Sequence, residues 1–253
     1  MTESLFYYRF LIGWSLLALS VFVVLFFVTA PYGRFTRGGW GPTLGSRLGW
    51  MLMEAPSALL MLAFFFRGDR THNLVAWVFL LIWESHYLHR AFIYPFQLPG
   101  GRKRMTVVTV LMAVVFNSGN CYLNGRYLFT LSSPLSSEWL ADPRFITGSC
   151  LFVLGYFVNK RSDAVLRNLR KKSVREYSIP RGGLFERVSC ANYLGELVLW
   201  IGWAQLTWSP GGLVFALWTA ANLMPRARSI HRWYRERFPE YPPNRKAMIP
   251  FIF

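Results

Sequence analysis

Six ionisable residues stand within otherwise apolar stretches of the sequence: Glu54, Glu84, His86, His89, Arg90 and Glu196. In a membrane-spanning helix such groups are costly, and they are usually retained for binding, proton transfer or catalysis. Glu84, Tyr87 and Arg90 recur at three-residue intervals and share one helical face, which Tyr94 continues four residues later. This polar face either lines a cavity or meets polar partners on other helices in a purely structural network.

Motifs of soluble enzymes are missing from the sequence. The turn Gly39-Trp-Gly41 lacks the third glycine of a dinucleotide-binding fingerprint and follows no predicted strand, so a Rossmann domain is not predicted. HExxH, GxSxG and CxxC are also absent. Cys121, Cys150 and Cys190 lie in or beside apolar segments without metal-ligand spacing, so we predict packing residues and no metal site.

The composition indicates that the elements positioning these residues lie in a membrane. Hydrophobic residues make up 53% of the chain and charged residues 16%, which is poor in charge for a soluble protein. Between Arg9 and Arg34 the chain carries no charge, and this stretch exceeds the roughly 20 residues that cross a hydrocarbon core. It also runs past the length of a signal-peptide core, so we interpret it as a retained anchor.

Hydropathy predicts seven spans within one domain, residues 1–253. They cover approximately 10–30, 48–66, 74–96, 106–128, 145–159, 189–208 and 211–225. The fourth is interrupted by the polar run Asn117-Ser-Gly-Asn120, and the fifth and seventh are short. We therefore predict an all-α integral membrane protein with seven transmembrane helices.

Basic residues give these spans an orientation. Of the 28 Lys and Arg residues, 22 fall in one set of connecting segments and 5 in the opposite set. Because basic loops stay in the cytosol, the N-terminus is predicted outside and the C-terminus cytosolic. The net charge of +16 therefore reflects membrane topology, and no nucleic-acid partner is predicted.

Two cytosolic segments have patterns of their own. In 160–188, Val165, Leu166 and Leu169 lie opposite a basic helical face, which suits either an amphipathic helix on anionic lipid or a basic lid over a multiply charged ligand. The tail 234–253 ends in apolar residues, so we expect it to dock against the protein.

Several ordered segments resemble the steroid 5α-reductases, NADPH-dependent membrane enzymes that reduce the Δ4 double bond of 3-oxo-steroids. The matching segments are Leu52–Pro56, His86–Tyr94, Asn159–Arg170, Ile179–Phe185, Ser189–Glu196 and Arg245–Phe253. Together they cover about residues 50 to 253. The resemblance implies seven transmembrane helices that enclose a cavity for cofactor and substrate.

The resemblance also implies roles for particular residues. Glu54 and Tyr87 match the pair that hydrogen-bonds the substrate's 3-keto oxygen, and Trp50, Met53 and Phe116 match the steroid-lining wall. The positions that match the NADPH site are Arg90, Arg102, Asn159, Asp163, Arg167, Arg170, Asn192, Glu196, Arg226, His231, Tyr234 and Arg245. The sequence departs from the family pattern at Met53, Pro99 and Ser178, where the family has Gln, Asn and Arg.

The implied chemistry suits these residue types. Hydride addition to the β-carbon of an enone develops charge on the ketone oxygen, and donors aimed at that oxygen stabilise the transition state. Tyr87 can donate directly, whereas Glu54 can donate only when protonated, a form that its apolar neighbours favour. Arginines suit the phosphates of the cofactor. We found no dedicated acid for the α-carbon, and we expect water to supply that proton.

Two other functions remain open at this stage. An isoprenylcysteine-type membrane methyltransferase would share the C-terminal half but would need neither the Glu54–Tyr87 pair nor a 2′-phosphate site. A non-catalytic sterol-binding membrane protein would give the matched cofactor positions no purpose. The substrate is expected to be a 3-oxo-Δ4-steroid or a similar flat enone. The membrane would be the endoplasmic reticulum in a eukaryote or the plasma membrane in a bacterium, and the oligomeric state is not predicted.

Overall fold

The computed structural model describes residues 2–30, 33–35, 39–98, 104–172 and 177–253. Their regular secondary structure is helical apart from two three-residue strands, which confirms the all-α prediction. The α-helices are α1 (Glu3–Phe27), α2 (Ser46–Arg67), α3 (Leu74–Leu88), α4 (Tyr94–Gln97), α5 (Val107–Cys121), α6 (Pro143–Lys172), α7 (Ala191–Thr207) and α8 (Pro210–Arg237). Two π-helical segments, His89–Ile93 and Tyr122–Leu131, continue α3 and α5. Short 3₁₀ turns cover Gly33–Phe35, Ser137–Ala141 and Gly183–Glu186.

Three helical segments are long and apolar enough to cross a membrane: Glu3–Phe27, Ser46–Arg67 and Val107–Leu131. They indicate an integral membrane protein. The other four predicted spans coincide with α3, α6, α7 and α8, but whether these cross the membrane stays a prediction. Helices α6 and α8 continue well beyond the predicted ends at 159 and 225, so residues 160–172 of the basic segment are a direct extension of α6.

The predicted interruption at residues 117–120 is wrong, because α5 runs unbroken through Cys121. The amides in this run serve contacts between and within helices. Asn117 donates to the carbonyl of Met53 on α2 at 2.6 Å, and Asn124 donates to the Asn120 carbonyl one turn away at 3.0 Å. Buried amides that are hydrogen-bonded in this way can stay inside an apolar helix bundle.

The π-helical segment His89–Ile93 has a cause in the sequence. Pro95 has no N–H, and its ring would clash with the carbonyl of Ala91 in a regular α-helix. A wider turn before the proline relieves that clash, and such insertions often occur at functional sites. The wide turn contains Arg90, so it sets where this side chain leaves the helix.

The chain divides into two compact units, which we describe separately. The first unit comprises Met1–Leu11, Pro31–Thr147 and Ala204–Leu213. Its helix α2 packs against α3, α5 and both π-helical segments, around the fully buried side chains of Met61, Phe65 and Trp83. Strands β1 (Thr43–Gly45) and β2 (Arg104–Thr106) pair antiparallel with Thr43 opposite Thr106. Each strand leads directly into a helix, so the pairing brings the beginnings of α2 and α5 together.

The second unit comprises Ile12–Ala30, Gly148–Trp203 and Val214–Phe253. Here α6 and α7 meet along a glycine seam, which we define as Gly148 and Gly155 on α6 with Gly195 and Gly202 on α7. A Cβ atom added at Gly195 would lie 2.8 Å from the Gly155 carbonyl oxygen, and one at Gly202 would lie 2.7 Å from that of Gly148. The two backbones therefore touch, and only glycine fits between them.

The C-terminal tail docks within the second unit, as the sequence predicted. Ser189 and Cys190 donate their backbone N–H groups to the carbonyls of Lys246 and Ala247 at 2.9 and 3.0 Å. Lys246 returns a bond to the Arg187 carbonyl at 2.9 Å, and Met248 is fully buried. These strand-like bonds fix the tail beside the beginning of α7.

Candidate active site

Arg90 is the centre of a polar cluster in the first unit. Its Nε lies 3.6 Å from Oε1 of Glu54, and both side chains are largely buried, with 19% and 14% of their surface exposed. The guanidinium also lies over the rings of Trp50 and Tyr94, at 5.2 Å from each centroid. The two aromatic rings meet edge to face at 5.6 Å. The cluster joins α2 to the wide turn after α3.

Tyr87 stands one turn before Arg90 on α3 and is only 3% exposed. Its ring packs against Trp83 at 4.9 Å and against His86 at 5.1 Å between centroids. Helix α3 packs on α2, so the helices that carry Tyr87 and Glu54 are in contact within the same unit. The tight ring packing limits where the Tyr87 hydroxyl can point.

The residues predicted to line a steroid site also belong to the first unit. Met53 is buried, whereas Trp50 and Phe116 are half-buried. The bond from Asn117 to the Met53 carbonyl ties this part of α2 to α5, next to Phe116. Met53 is therefore next to Glu54 on α2, and the ring of Trp50 lies against the Arg90 guanidinium.

In the second unit, a buried hydrogen-bond network joins α6 to α7 near the glycine seam. The Asn159 amide donates to Glu196 Oε2 at 2.8 Å and to the Asn192 carbonyl at 3.0 Å. Asn192 donates to Asp163 Oδ1 at 3.2 Å, and Trp200 donates to Glu196 Oε1 at 3.0 Å. Oδ1 of Asn159 is buried and has no hydrogen-bond partner among the described residues. A buried acceptor of this kind calls for a donor from outside the chain, either water or a ligand.

Two arginines extend this network along α6. Arg167 follows Asp163 by four residues and is half-buried, while Arg170 is exposed one turn further on. The four matched α6 positions thus lie along one face, with amide and carboxylate at one end and guanidinium groups at the other. Arg102, another matched position, lies outside the described residues.

The matched positions on α8 are held by polar and aromatic contacts. Arg226 donates to the Tyr193 hydroxyl at 3.0 Å and is 8% exposed. Tyr234 is 3% exposed and stacks on Tyr241 with centroids 5.3 Å apart. These contacts fix both side chains before any ligand binds.

His231 belongs to a short hydrogen-bond chain. Ser189 Oγ lies 2.6 Å from His231 Nδ1 and 2.6 Å from the Tyr241 hydroxyl. Burial lowers the pKa of His231, and the positive charges of Arg235 and Lys246 lower it further, so the imidazole is neutral near pH 7. Ser189 Oγ also lies 3.2 Å from the Lys246 carbonyl, which can accept its proton, so Ser189 links His231 and Tyr241 to the backbone of the tail.

Arg245 binds a loop of the second unit. Its guanidinium donates to the Pro180 carbonyl at 2.9 Å and to Glu186 Oε2 at 3.3 Å, and it lies over the Tyr241 ring at 5.3 Å. The residue is 2% exposed. The Gly182 N–H, followed by Arg245 and Arg181, lowers the pKa of the Glu186 carboxyl. The docked tail thus holds residues 180–186 in place.

The structure sorts the predicted site residues into the two units. Those matched to substrate recognition lie in the first unit together with Arg90: Trp50, Met53, Glu54, Tyr87 and Phe116. The remaining described cofactor positions lie in the second: Asn159, Asp163, Arg167, Arg170, Asn192, Glu196, Arg226, His231, Tyr234 and Arg245. Among the described residues, no group of three His, Cys, Asp or Glu side chains could hold a metal ion.

Two cavities of about 340 and 330 Å³ lie elsewhere. The first is in the first unit and is lined by Arg70, Asn73, Tyr127 and Trp139 among others. The second, in the second unit, lies between Arg161, Ser162 and the loop around Gly183. None of the predicted site residues lines either cavity.

Sequence reasoning missed the residues that orient the site. Ser189, Tyr241, Trp200 and Asn117 each bond a predicted residue or its neighbour. A polar residue in an apolar run was the available signal for Asn117. Trp200 lies one turn from Glu196 on α7, so helical spacing was the available signal there. Ser189 and Tyr241 carry no comparable signal, because Ser189 meets His231 and Tyr241 at separations of 42 and 52 residues.

Comparisons with known proteins identify the family of this chain. The sequence profile of the family described as 3-oxo-5-alpha-steroid 4-dehydrogenase matches residues 103–253. The chain is 42% identical to the steroid 5-alpha-reductase DET2 of Gossypium hirsutum, covering 99% of this chain and 98% of the relative. It is 43% identical to the 3-oxo-5-alpha-steroid 4-dehydrogenase 1 of Bos taurus, with 93% of each covered, and 40% identical to that of Homo sapiens, with 88% and 86% covered. This chain therefore belongs to the 3-oxo-5-alpha-steroid 4-dehydrogenase, or steroid 5-alpha-reductase, family.

Proposed function

We propose that this protein reduces the Δ4 double bond of a 3-oxo-steroid, or of a similar flat enone, with NADPH as the hydride donor. Family membership supports the reaction class. The observation that carries the proposal on this chain is the polar cluster of the first unit: Glu54 and Arg90 are paired at 3.6 Å among aromatic and apolar side chains, one turn from buried Tyr87. A flat apolar substrate with one ketone oxygen suits such a site.

Tyr87 is the main donor in this mechanism. Its hydroxyl donates to the ketone oxygen and strengthens that bond as the oxygen becomes an enolate. Ring packing against Trp83 and His86 keeps the hydroxyl oriented, so little reorganisation is needed when charge develops.

Glu54 is the second donor, and it must be protonated to act. A carboxylate next to the ketone oxygen would repel the developing charge. The ion pair with Arg90 therefore belongs to the ligand-free protein, and substrate binding is accompanied by protonation of Glu54.

The second unit fits a nicotinamide dinucleotide. The buried acceptor Asn159 Oδ1 can bond a carboxamide or ribose hydroxyl, and Arg167 and Arg170 supply guanidinium groups that suit phosphates. The neutral imidazole of His231 is a further hydrogen-bonding group. When bound, this cofactor supplies the hydride that adds to the β-carbon; the residues here bind and orient it.

We further propose that the chain crosses the membrane seven times as one domain, with the N-terminus outside and the C-terminus in the cytosol. The excess of basic residues on one side supports this orientation. In a eukaryote this places the basic α6 extension and the tail at the cytosolic face of the endoplasmic reticulum. In a bacterium the same segments face the cytoplasm from the plasma membrane.

The experiment is reduction by the purified protein in nanodiscs. Incubation with NADPH and testosterone or progesterone should yield the 5α-reduced ketone by mass spectrometry, with matched NADPH consumption. NADPH alone should change its fluorescence on binding. Tyr87→Phe should bind NADPH normally and lose about 100-fold in kcat/KM. Absence of NADPH binding in the folded wild type would refute the proposal.

A further inference from the structure

A buried carboxyl on α3 has no role in the mechanism described so far. Glu84 is 5% exposed, and both of its carboxyl oxygens are buried without a hydrogen-bond partner among the described residues. A buried acid without partners is destabilising, and such groups are typically retained for function.

Two more unpartnered polar atoms lie on the helices that pack around this part of α3. The Ser57 hydroxyl on α2 is fully buried next to the Cys121 thiol, and neither it nor the Asn120 side-chain nitrogen on α5 has an oxygen or nitrogen partner among the described residues. Hydrogen bonds place their segments at one level: Trp83 Nε1 donates to the Ser57 carbonyl at 2.9 Å, and Cys121 Sγ donates to it at 3.4 Å. Glu84 and Asn120 are the chain neighbours of these two donors.

An electrostatic interaction supports the same placement of Glu84 beside α5. Glu84 lies close enough to the Cys121 thiol to interact with it electrostatically. These contacts place the residues that carry the carboxyl, the hydroxyl and the amide at the junction of α2, α3 and α5, all in the first unit. We call this group the Glu84 chamber (Ser57, Glu84 and Asn120). Unsatisfied buried groups of this kind are normally bridged by ordered water.

The Glu84 chamber is one helical turn from the proposed ketone site. The bond from Asn117 to Met53 and the bond from Cys121 to Ser57 both join residues 64 positions apart. Helices α2 and α5 are therefore parallel here, and one turn along α2 corresponds to one turn along α5. Ser57 follows Glu54 by three residues, and Asn120 follows Asn117 by three. On antiparallel α3, Glu84 precedes Tyr87 by three. On each of the three helices, one turn, or about 5 Å, therefore separates the chamber residue from the residue at the level of the proposed ketone site.

We propose that Glu84 is the proton-relay residue of this enzyme. It is held as a neutral acid, and it passes a proton through chamber water to the substrate. This inference rests on the proposed function and accounts for the proton that the reduction consumes. Hydride from NADPH bonds to the β-carbon, the C=C electrons move to the ketone oxygen, and the enolate then collapses as its α-carbon takes the relayed proton. Glu84 is reprotonated from water, so one hydride and one proton are consumed in each cycle.

Solvent exchange isolates the proton step from hydride transfer. The wild-type holoenzyme is incubated with NADP⁺ and the saturated 3-oxo-steroid in D₂O, and deuterium at the α-carbon is followed by mass spectrometry against an enzyme-free control. Glu84→Gln keeps the shape but cannot relay a proton, so its exchange rate should fall at least 100-fold while NADPH binding is unchanged. Glu84→Asp keeps the acid and should retain part of the exchange.

A matched serine pair tests whether the chamber itself matters. Ser57→Ala removes a chamber hydroxyl and should slow exchange about tenfold. Ser85→Ala should have no effect, since the exposed Ser85 hydroxyl only bonds the Ile82 carbonyl of its own helix. In forward turnover, the isotope effect of 4-deuterated NADPH should shrink in Glu84→Gln, because protonation then limits the rate.

The outcomes separate the relay from the proposed function. Wild-type reduction together with undiminished exchange in Glu84→Gln would overturn the relay and leave the function standing. A wild type that binds NADPH but neither reduces the enone nor exchanges the α-hydrogen would overturn the function itself. If Glu84→Gln does not bind NADPH, Glu84→Asp decides: partial or full exchange supports the relay, and no exchange with NADPH binding intact contradicts it.

Discussion

The ion pair between Glu54 and Arg90 allows a prediction in which stability and activity respond differently to one substitution. At a separation of 3.6 Å and an effective dielectric constant of about 20, the attraction between the two charges is about 4–5 kcal/mol. Part of it offsets the cost of desolvating both groups. Removing one partner of a buried pair usually costs about 3–5 kcal/mol, and because these side chains keep some exposure we expect about 3 kcal/mol.

Glu54→Gln removes the charge but keeps a hydrogen-bond donor of nearly the same size. We therefore expect the ligand-free variant to lose about 3 kcal/mol of unfolding free energy at neutral pH. Its kcat/KM should stay within about tenfold of wild type, because the amide can donate to the ketone oxygen. Glu54→Ala should lose similar stability and at least about 100-fold in kcat/KM.

Unfolding of the purified protein in mixed micelles measures the first quantity, and steady-state kinetics with a 3-oxo-Δ4-steroid measure the second. NADPH binding, followed by fluorescence, is the control for a folded site. If Glu54→Gln is as inactive as Glu54→Ala, the charge of Glu54 is what matters and the neutral-donor mechanism is wrong. If Glu54→Gln is as stable as wild type, the ion pair does not form in the ligand-free protein.

Three further predictions concern topology, packing and the cofactor site. A reporter fused after Phe253 should be cytosolic and one inserted at Ser133 should lie on the far side; cytosolic signals from both would contradict seven spans. Gly195→Ala should destabilise the protein by about 3 kcal/mol because its Cβ has no room, whereas Gly13→Ala, which meets no atom within 4 Å, should be neutral or slightly stabilising. Arg170→Ala should raise the KM for NADPH far more than the KM for the steroid, and equal rises would point to general damage instead.

The sequence predicted the helical elements well because their signal is local. Apolar runs of membrane length mark the helices, and the polar face of Glu84, Tyr87 and Arg90 follows from helical spacing alone. The wide turn at His89–Ile93 was not predicted, although Pro95 supplies its cause. A proline signals a distortion without specifying which of several geometries relieves it.

Contacts between residues that are distant in sequence were harder to predict than the helical faces on which those residues lie. The pairing of Glu54 with Arg90 depends on how α2 meets the wide turn, and the Ser189–His231 contact joins residues 42 positions apart. An amide in an apolar run breaks the hydropathy pattern, which is why the asparagines of residues 117–120 predict an interruption of the fourth span. Once Asn117 bonds the Met53 carbonyl, that polarity is satisfied and the helix continues.

The glycine seam has a mechanical consequence. Packed helices usually slide by small steps because intervening side chains can switch rotamers as spacers. Between α6 and α7 the backbones touch at Gly155 and Gly195, so sliding would force one carbonyl ladder into the other. The pair must instead move as a rigid rod pivoting on its flanking segments. The Asn159–Glu196 network joins these two helices, so its hydrogen bonds stay intact when the pair moves.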